Sequence, residues 1–157
     1  DNHISFAANH FGKQPFETIE LDYGPQVLWP KHCVQGTQDA EFHPDLNIPT
    51  AQLIIRKGFH AHIDSYSAFI EADHSTTTGL TGYLKERGID TVYVVGIATD
   101  FCVAWTALDA VKQGFKTLVV EDACKGIDLN GSLEHAWQTM QQQGVVRIQS
   151  TDLLSKR

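Results

Sequence analysis

The chain is short of cations. Against 19 acidic residues it sets 12 lysines and arginines, for a net charge of −7, and these are not clustered. Affinity for a phosphate backbone depends on such clusters, so no nucleic-acid partner is expected. No run of about 18 apolar residues occurs, which argues against a membrane span and a membrane partner. No signal-peptide pattern opens the chain. Cysteine is scarce, three residues in 157, and an odd handful does not make a disulfide framework. It fits a reducing compartment, the cytoplasm. What is present, 42% hydrophobic and 20% charged residues, is ordinary globular composition with room for one domain, 1–157, around its own core.

From residue 51 onward the pattern is regular. Gln52 to Arg56 (QLIIR) reads as a strand. Leu80, Tyr83 and Leu84 mark a helix closed by Gly88. Thr91 to Ile97 is a second strand, and Phe101, Cys102, Trp105, Leu108 and Ala110 then follow helical spacing as far as Gly114. Thr117 to Glu121 is a third strand; Leu133, Ala136, Trp137 and Met140 give a helical face closed by Gly144, and Val145 to Gln149 makes a fourth strand. This alternation predicts an α/β fold, Rossmann-like with three α/β/α layers around a mainly parallel sheet, in a single domain with right-handed crossovers. Residues 1–49 hold all five prolines and four of the eight histidines (His3, His10, His32 and His43). They follow no period and read as extended chain and loops, a form that is usually functional at this length. Glu17, Glu20 and Asp22 read as a solvated acidic face.

In open parallel sheets, ligands bind beyond the carboxyl ends of the strands. That rule groups Lys57-Gly58-Phe59, Ala98 to Cys102, and Asp122-Ala123-Cys124. Cys102 falls where a strand turns into a helix, and unpaired N–H groups there, with the positive end of the macrodipole, favour a thiolate nucleophile. The plainer alternative is a small buried core residue. Lys57 follows a strand and precedes a glycine, which suits a cation brought close to that thiol; its alternative is a solvated surface lysine. His60-Ala61-His62 sets two imidazoles on one side of an extended segment, a metal pair or surface polar residues. His10, His43, His74 and His135 read as surface or structural, Cys33 as a buried neighbour of His32, and Cys124 as lying near a pocket wall.

Five strings occur in a telling order: NHISF at Asn2 to Phe6, WPKHCVQGT at Trp29 to Thr37, FHPDL at Phe42 to Leu46, KG at Lys57 followed by DSYSAF at Asp64 to Phe69, and GIATDFCV at Gly96 to Val103. Together they resemble the nicotinamidases of the isochorismatase-like cysteine hydrolase superfamily. The resemblance implies a metal-dependent amidohydrolase that converts nicotinamide to nicotinate and ammonia through a thioester and also takes pyrazinamide-type amides. It assigns the nucleophile to Cys102, a triad lysine to Lys57, and the oxyanion hole to the N–H groups of Cys102 and Ala98, beside a cis Ile97–Ala98 peptide. His32 becomes a ligand of zinc, with Fe²⁺ or Mn²⁺ fitting the same donors. His3 is a further candidate ligand, or else a histidine that supports the site from behind. Trp29, Tyr66 and Phe6 would line an aromatic pocket for the pyridine ring.

The family's triad carboxylate and its Asp-x-His metal ligands belong to segments upstream of NHISF. The numbered chain is therefore expected to lack the family's first strand and helix, with Asp1-Asn2-His3 as an alternative reading of the Asp-x-His element. A homo-oligomer fits the apolar surface such a gap would leave. Two other readings stay open: a related small-amide or carbamoyl hydrolase, and a catalytically incomplete module that binds a metal or a ligand.

Overall fold

In the computed structural model, which describes residues 2–154, the alternating run around Val92 and Val94 becomes strand β3, Thr91–Ile97, with the bounds expected from the sequence. It pairs in parallel with β4, Lys116–Lys125, which pairs in parallel with β5, Val146–Ile148. Helix α1, Leu80–Glu86, precedes β3; α2, Ala104–Lys112, joins β3 to β4; α3, Ser132–Gln142, joins β4 to β5; and α4, Ser150–Leu154, follows. The expected α/β class with a parallel sheet stands. Gly114 shows why the helices stop where glycines fall. At φ 92° it lets its own N–H return to Val111 O (2.9 Å) and the next N–H, of Phe115, to Ala110 O (3.0 Å), a pair of bonds that closes a helix C-terminus.

These elements belong to one of two compact units, the one that begins at Ser65; the other ends at Asp64. The core of the later unit packs Val103, Ala104 and Ala107 against Ala136, Trp137 and Met140 of α3 and against Val119 of β4. A second cluster joins Phe69, Ala110 and Phe115 to Leu80, Leu84 and Val92. Val92 and Val94 thus lie against helices. On the alternate face of β3, Tyr93, Val95 and Ile97 are 52%, 55% and 77% exposed.

Strand β4 runs four residues beyond its expected end at Glu121. Its register with β3 slips between Val94 and Gly96, so that Gly96 pairs with Cys124 and Ile97 with Lys125. Such a slip breaks the alternation from which strand ends are read. β5 is one residue shorter at each end than expected. The guanidinium of Arg147 on β5 grips Glu121 of β4, with Nε donating at 2.8 Å, and lies 4.3 Å over the ring of Trp137. That hydrogen bonding holds the Glu121 carboxyl below the usual carboxylate range. The hydroxyl and N–H of Ser150 do the same for Asp122.

The earlier unit corrects two expectations. Residues 1–49 are not all loop: β1, Thr18–Leu21, and β2, Gly24–Val27, form an antiparallel hairpin across Asp22 and Tyr23. Its strands are four residues long and interrupted by charge and proline, too short to show a period. Beneath it Tyr23 donates to Gln26 (2.9 Å) and Gln26 donates to buried Asp64 (2.6 Å). Gln52 to Arg56 is not a strand. An apolar β-branched run becomes one only where a neighbouring backbone completes the ladder, and this run joins neither described sheet. Leu53 and Ile54 are exposed.

Candidate active site

The sequence candidates fall into two groups, one in each unit. In the later unit β3 ends at a cis Ile97–Ala98 peptide, as the resemblance implied. The chain then enters a π-helical turn, Thr99–Val103. Ala98 O closes it, accepting from Val103 N–H at 3.0 Å and from Phe101 N–H at 3.1 Å. Wide turns of this kind recur at functional sites because they re-aim a side chain out of the helical row. Val103 enters the core while Cys102, one residue earlier, is half-buried and outside both core clusters. The buried-core alternative for Cys102 therefore fails. Cys124 does not follow the third strand; it lies within β4, and burial pushes its thiol upward.

Tyr66 is held close by. Ala68 N–H donates to Thr106 Oγ1 on α2 at 3.0 Å, and Thr78 Oγ1 donates to Ala68 O at 2.6 Å. The Tyr66 ring lies 6.0 Å from Phe101 and 5.5 Å from Trp105, and Trp105 in turn stacks on His74 at 5.7 Å and 16°. Phe101 and Trp105 flank Cys102 four residues apart, one helical turn. That spacing, readable in the sequence, marks a shared aromatic surface.

The same turn carries Asp100. Its carboxylate is buried and accepts from Ile127 N–H (3.0 Å), Asp128 N–H (2.8 Å) and Ser132 Oγ (2.5 Å). Burial opposes its ionisation, but the Ser132 hydroxyl and the two N–H groups outweigh burial and hold the carboxyl below its ordinary value.

In the earlier unit His3, His32, Phe6 and Trp29 come together. The Phe6 ring lies near both imidazoles, 5.5 Å from that of His3 and 5.6 Å from that of His32. Phe6 and Trp29 face each other across a parallel bridge, fixed by Ala7 N–H to Trp29 O (2.9 Å) and Trp29 N–H to Ser5 O (2.7 Å). His32 Nδ1 lies 2.7 Å from Pro30 O. A carbonyl only accepts, so Nδ1 carries the proton and Nε2 keeps its lone pair. His3 Nδ1 accepts from Ser5 N–H at 3.3 Å and lies 2.8 Å from Ser5 Oγ, which can donate to it. His3 Nε2 is buried and has no hydrogen-bond partner. A buried polar atom left without a partner needs an explanation, and a bound ion supplies one.

The KG segment belongs to the same region. Gly58, at φ 68°, passes so near that a Cβ on it would stand 4.0 Å from His3 Nε2, and Gln35 Nε2 donates to Gly58 O at 3.4 Å. Lys57 is exposed and, with Cys33, Phe42 and Ile54, lines a cleft of about 200 Å³. Cys33 is exposed, not the buried neighbour expected. It takes a left-handed turn conformation, φ 47°, and its N–H donates to Asp39 Oδ2 at 2.7 Å. His60 and His62 are exposed, with ring centroids 6.0 Å apart. Among the described residues no three metal-binding side chains gather, and Asp1 lies outside them. His32, with Nδ1 donating to Pro30 O, has the hydrogen bonding of a metal-bound histidine, and the partnerless Nε2 of buried His3 is a second candidate donor for a zinc ion.

A model of the isochorismatase domain matches residues 18–152. A nicotinamidase of Acinetobacter baylyi is 74% identical over 153 residues, covering 98% of this chain and 72% of the relative. Among solved structures, an Acinetobacter baumanii nicotinamidase/pyrazinamidase superposes with a TM-score of 0.97 at 94% identity, covering 98% of this chain and 74% of that one. A pyrazinamidase of Pyrococcus horikoshii in complex with zinc superposes with a TM-score of 0.72 at 34% identity, covering 95% and 69%. The cis peptide, the strand-to-helix thiol and these likenesses have one reading in common: the chain belongs to the isochorismatase family.

Proposed function

We propose that this chain is a cysteine amidohydrolase that converts nicotinamide to nicotinate and ammonia and accepts pyrazinamide-type amides. The observation that carries this reading is 74% identity to a nicotinamidase along 98% of the chain, with every motif of the resemblance in order. An amide is a poor electrophile, and passing through a thioester replaces one high barrier with two lower ones. Cys102 is the nucleophile. Its thiolate adds to the carboxamide carbon, the C–S bond forms, and the carbonyl electron pair moves to oxygen. The N–H groups of Cys102 and Ala98 receive that oxyanion; one such donor is typically worth about 3 kcal/mol of barrier. Lys57 is the cation that favours the thiolate. The nitrogen leaves as ammonia once a general acid protonates it. Water then attacks the thioester, the C–S bond breaks, and nicotinate departs.

His3 and His32 would hold zinc, the metal bound by the Pyrococcus horikoshii relative; Fe²⁺ and Mn²⁺ suit the same donors. When bound, the metal supplies a Lewis-acid anchor for a ring nitrogen and so orients the carboxamide. Phe6 and Trp29 supply an apolar wall for a flat ring, and Tyr66 supplies another. Three free cysteines suit the cytoplasm, and no described helix is long and apolar enough to cross a membrane. The test is ammonia release from nicotinamide and from pyrazinamide by the zinc-supplemented protein. Turnover that disappears in Cys102→Ala supports the reading, and turnover that survives it overturns the assignment.

A further inference from the structure

The carboxylate two residues before Cys102 has more invested in it than a solvent-facing turn residue would need. Both oxygens of Asp100 are occupied, Oδ1 by Ile127 N–H at 3.0 Å and Oδ2 by Asp128 N–H at 2.8 Å and Ser132 Oγ at 2.5 Å. Two of the donors come from the loop between β4 and α3, 27 and 28 residues further along the chain, and the third from Ser132 at the start of α3. That loop is shaped to deliver them. Asp128 and Asn130 take left-handed conformations, φ 60° and 52°, which short polar side chains tolerate best. At Gly126 an added Cβ would stand 3.4 Å from Asp100 Oδ1, in van der Waals contact, and 2.8 Å from Leu133 Cδ1, which would have to shift, so the loop passes close against the carboxylate.

We infer that Asp100 is the positioning residue for the nucleophile: its carboxylate clamps the turn bearing Cys102 to the loop that enters α3. The inference rests on Cys102 being the nucleophile. The turn's own closing bonds, from Phe101 and Val103 N–H to Ala98 O and from Ala104 N–H to Thr99 O and Phe101 O, are all local and fix its curvature without fixing its direction. Asp100 ties the same five residues to the body of α3 through Ser132, its first residue. The thiol and the N–H of Cys102 move together with that anchor. A reacting group displaced by about 1 Å loses on the order of 10²-fold in rate.

Asp100→Asn keeps the shape but turns an NH₂ toward one of the two N–H donors, and the clamp opens. Ser132→Ala removes one donor and loosens it. Asp109→Asn is the control, since Asp109 is also buried on the Cys102 helix but accepts from Lys112 Nζ (3.1 Å) and not from the loop. Each variant of the whole chain, with zinc supplied, is assayed for kcat and KM on nicotinamide. Iodoacetamide alkylation of Cys102 is followed separately by peptide mass across a range of pH, with the melting temperature alongside. The expected result for Asp100→Asn is a kcat lower by about 10- to 100-fold, KM within about twofold, and a displaced alkylation profile. Ser132→Ala should show the same changes more weakly, and Asp109→Asn should melt earlier with both readouts unmoved. A wild-type kcat and alkylation profile in Asp100→Asn overturns the clamp, as does an equal loss in Asp109→Asn. If Asp100→Asn does not fold, Ser132→Ala carries the same decision. Alkylation needs no substrate, so it decides the clamp even if nicotinamide proves to be the wrong amide.

Discussion

The two units hold their chemistry by different means. In the later one Cys102 rides on backbone: a turn closed by Ala98 O, a carboxylate filled with donors, and a helix core of Met140, Trp137 and Ala107 beneath it. In the earlier one His3 and His32 sit on irregular chain, each imidazole is held at Nδ1, by Ser5 and by Pro30 O respectively, and the Phe6 ring lies near both. A nucleophile must be presented along a defined line of attack, which a rigid main chain provides. A metal ligand needs only its donor atom aimed, and a side-chain bond is enough for that.

The largest effect expected on this contrast comes from the sulfur. Cys102→Ala should lower kcat for nicotinamide by about 10⁴-fold or more while bound zinc, measured by elemental analysis, stays at the wild-type level. Loss of zinc in that variant would collapse the separation of roles. The packed scaffold is next. Met140 is fully buried in the core of the later unit, and Met140→Ala should cost about 2–5 kcal/mol in urea unfolding. A loss well under that range would mean the core does not carry the nucleophile turn. Smaller again is Ser5→Ala, which removes the hydroxyl at His3 Nδ1 and leaves the Ser5 N–H there. Zinc affinity should weaken by about 10- to 100-fold in a chelator competition, with Cys102 alkylation unchanged.

Acid sharpens the comparison most gently. Asp100, Glu121, Asp122 and Asp73, all in the later unit, are held below their ordinary values of 3.8 for aspartate and 4.5 for glutamate. Between the folded and ordinary values the unfolded chain binds more protons. The stability these groups contribute is therefore complete above about pH 4.5 and is lost as pH falls through the lower, folded values. Melting temperatures by circular dichroism should accordingly drop between pH 5 and pH 3, and a flat profile there would remove these carboxylates from the account.

How far the molecule could be read in advance follows the same division. β3 lies where Thr91 to Ile97 placed it, and α1, α2 and α3 stop at Gly88, Gly114 and Gly144, because local periodicity and capping are written in neighbouring residues. The hairpin at Thr18–Val27 was not legible, and QLIIR was read as a strand, because pairing depends on which segment lies alongside. Cys102, Ala98, His32 and His3 are candidates that the motifs alone mark. Asp100 was passed over since its donors lie at Ile127, Asp128 and Ser132, and no local pattern announces a partner so distant in sequence. Adjacency to His32 suggests a buried Cys33, whereas the residue sits exposed in a left-handed turn.

Trp29, buried beside the edge-on ring of Phe16 at 6.0 Å, is the earlier unit's tryptophan, while Trp105 and Trp137 both belong to the later one. Replacing those two with phenylalanine leaves a single indole whose fluorescence reports the histidine-bearing unit alone. Emission followed in denaturant against far-ultraviolet dichroism would then show which unit opens first, and whether added zinc delays one of them and not the other.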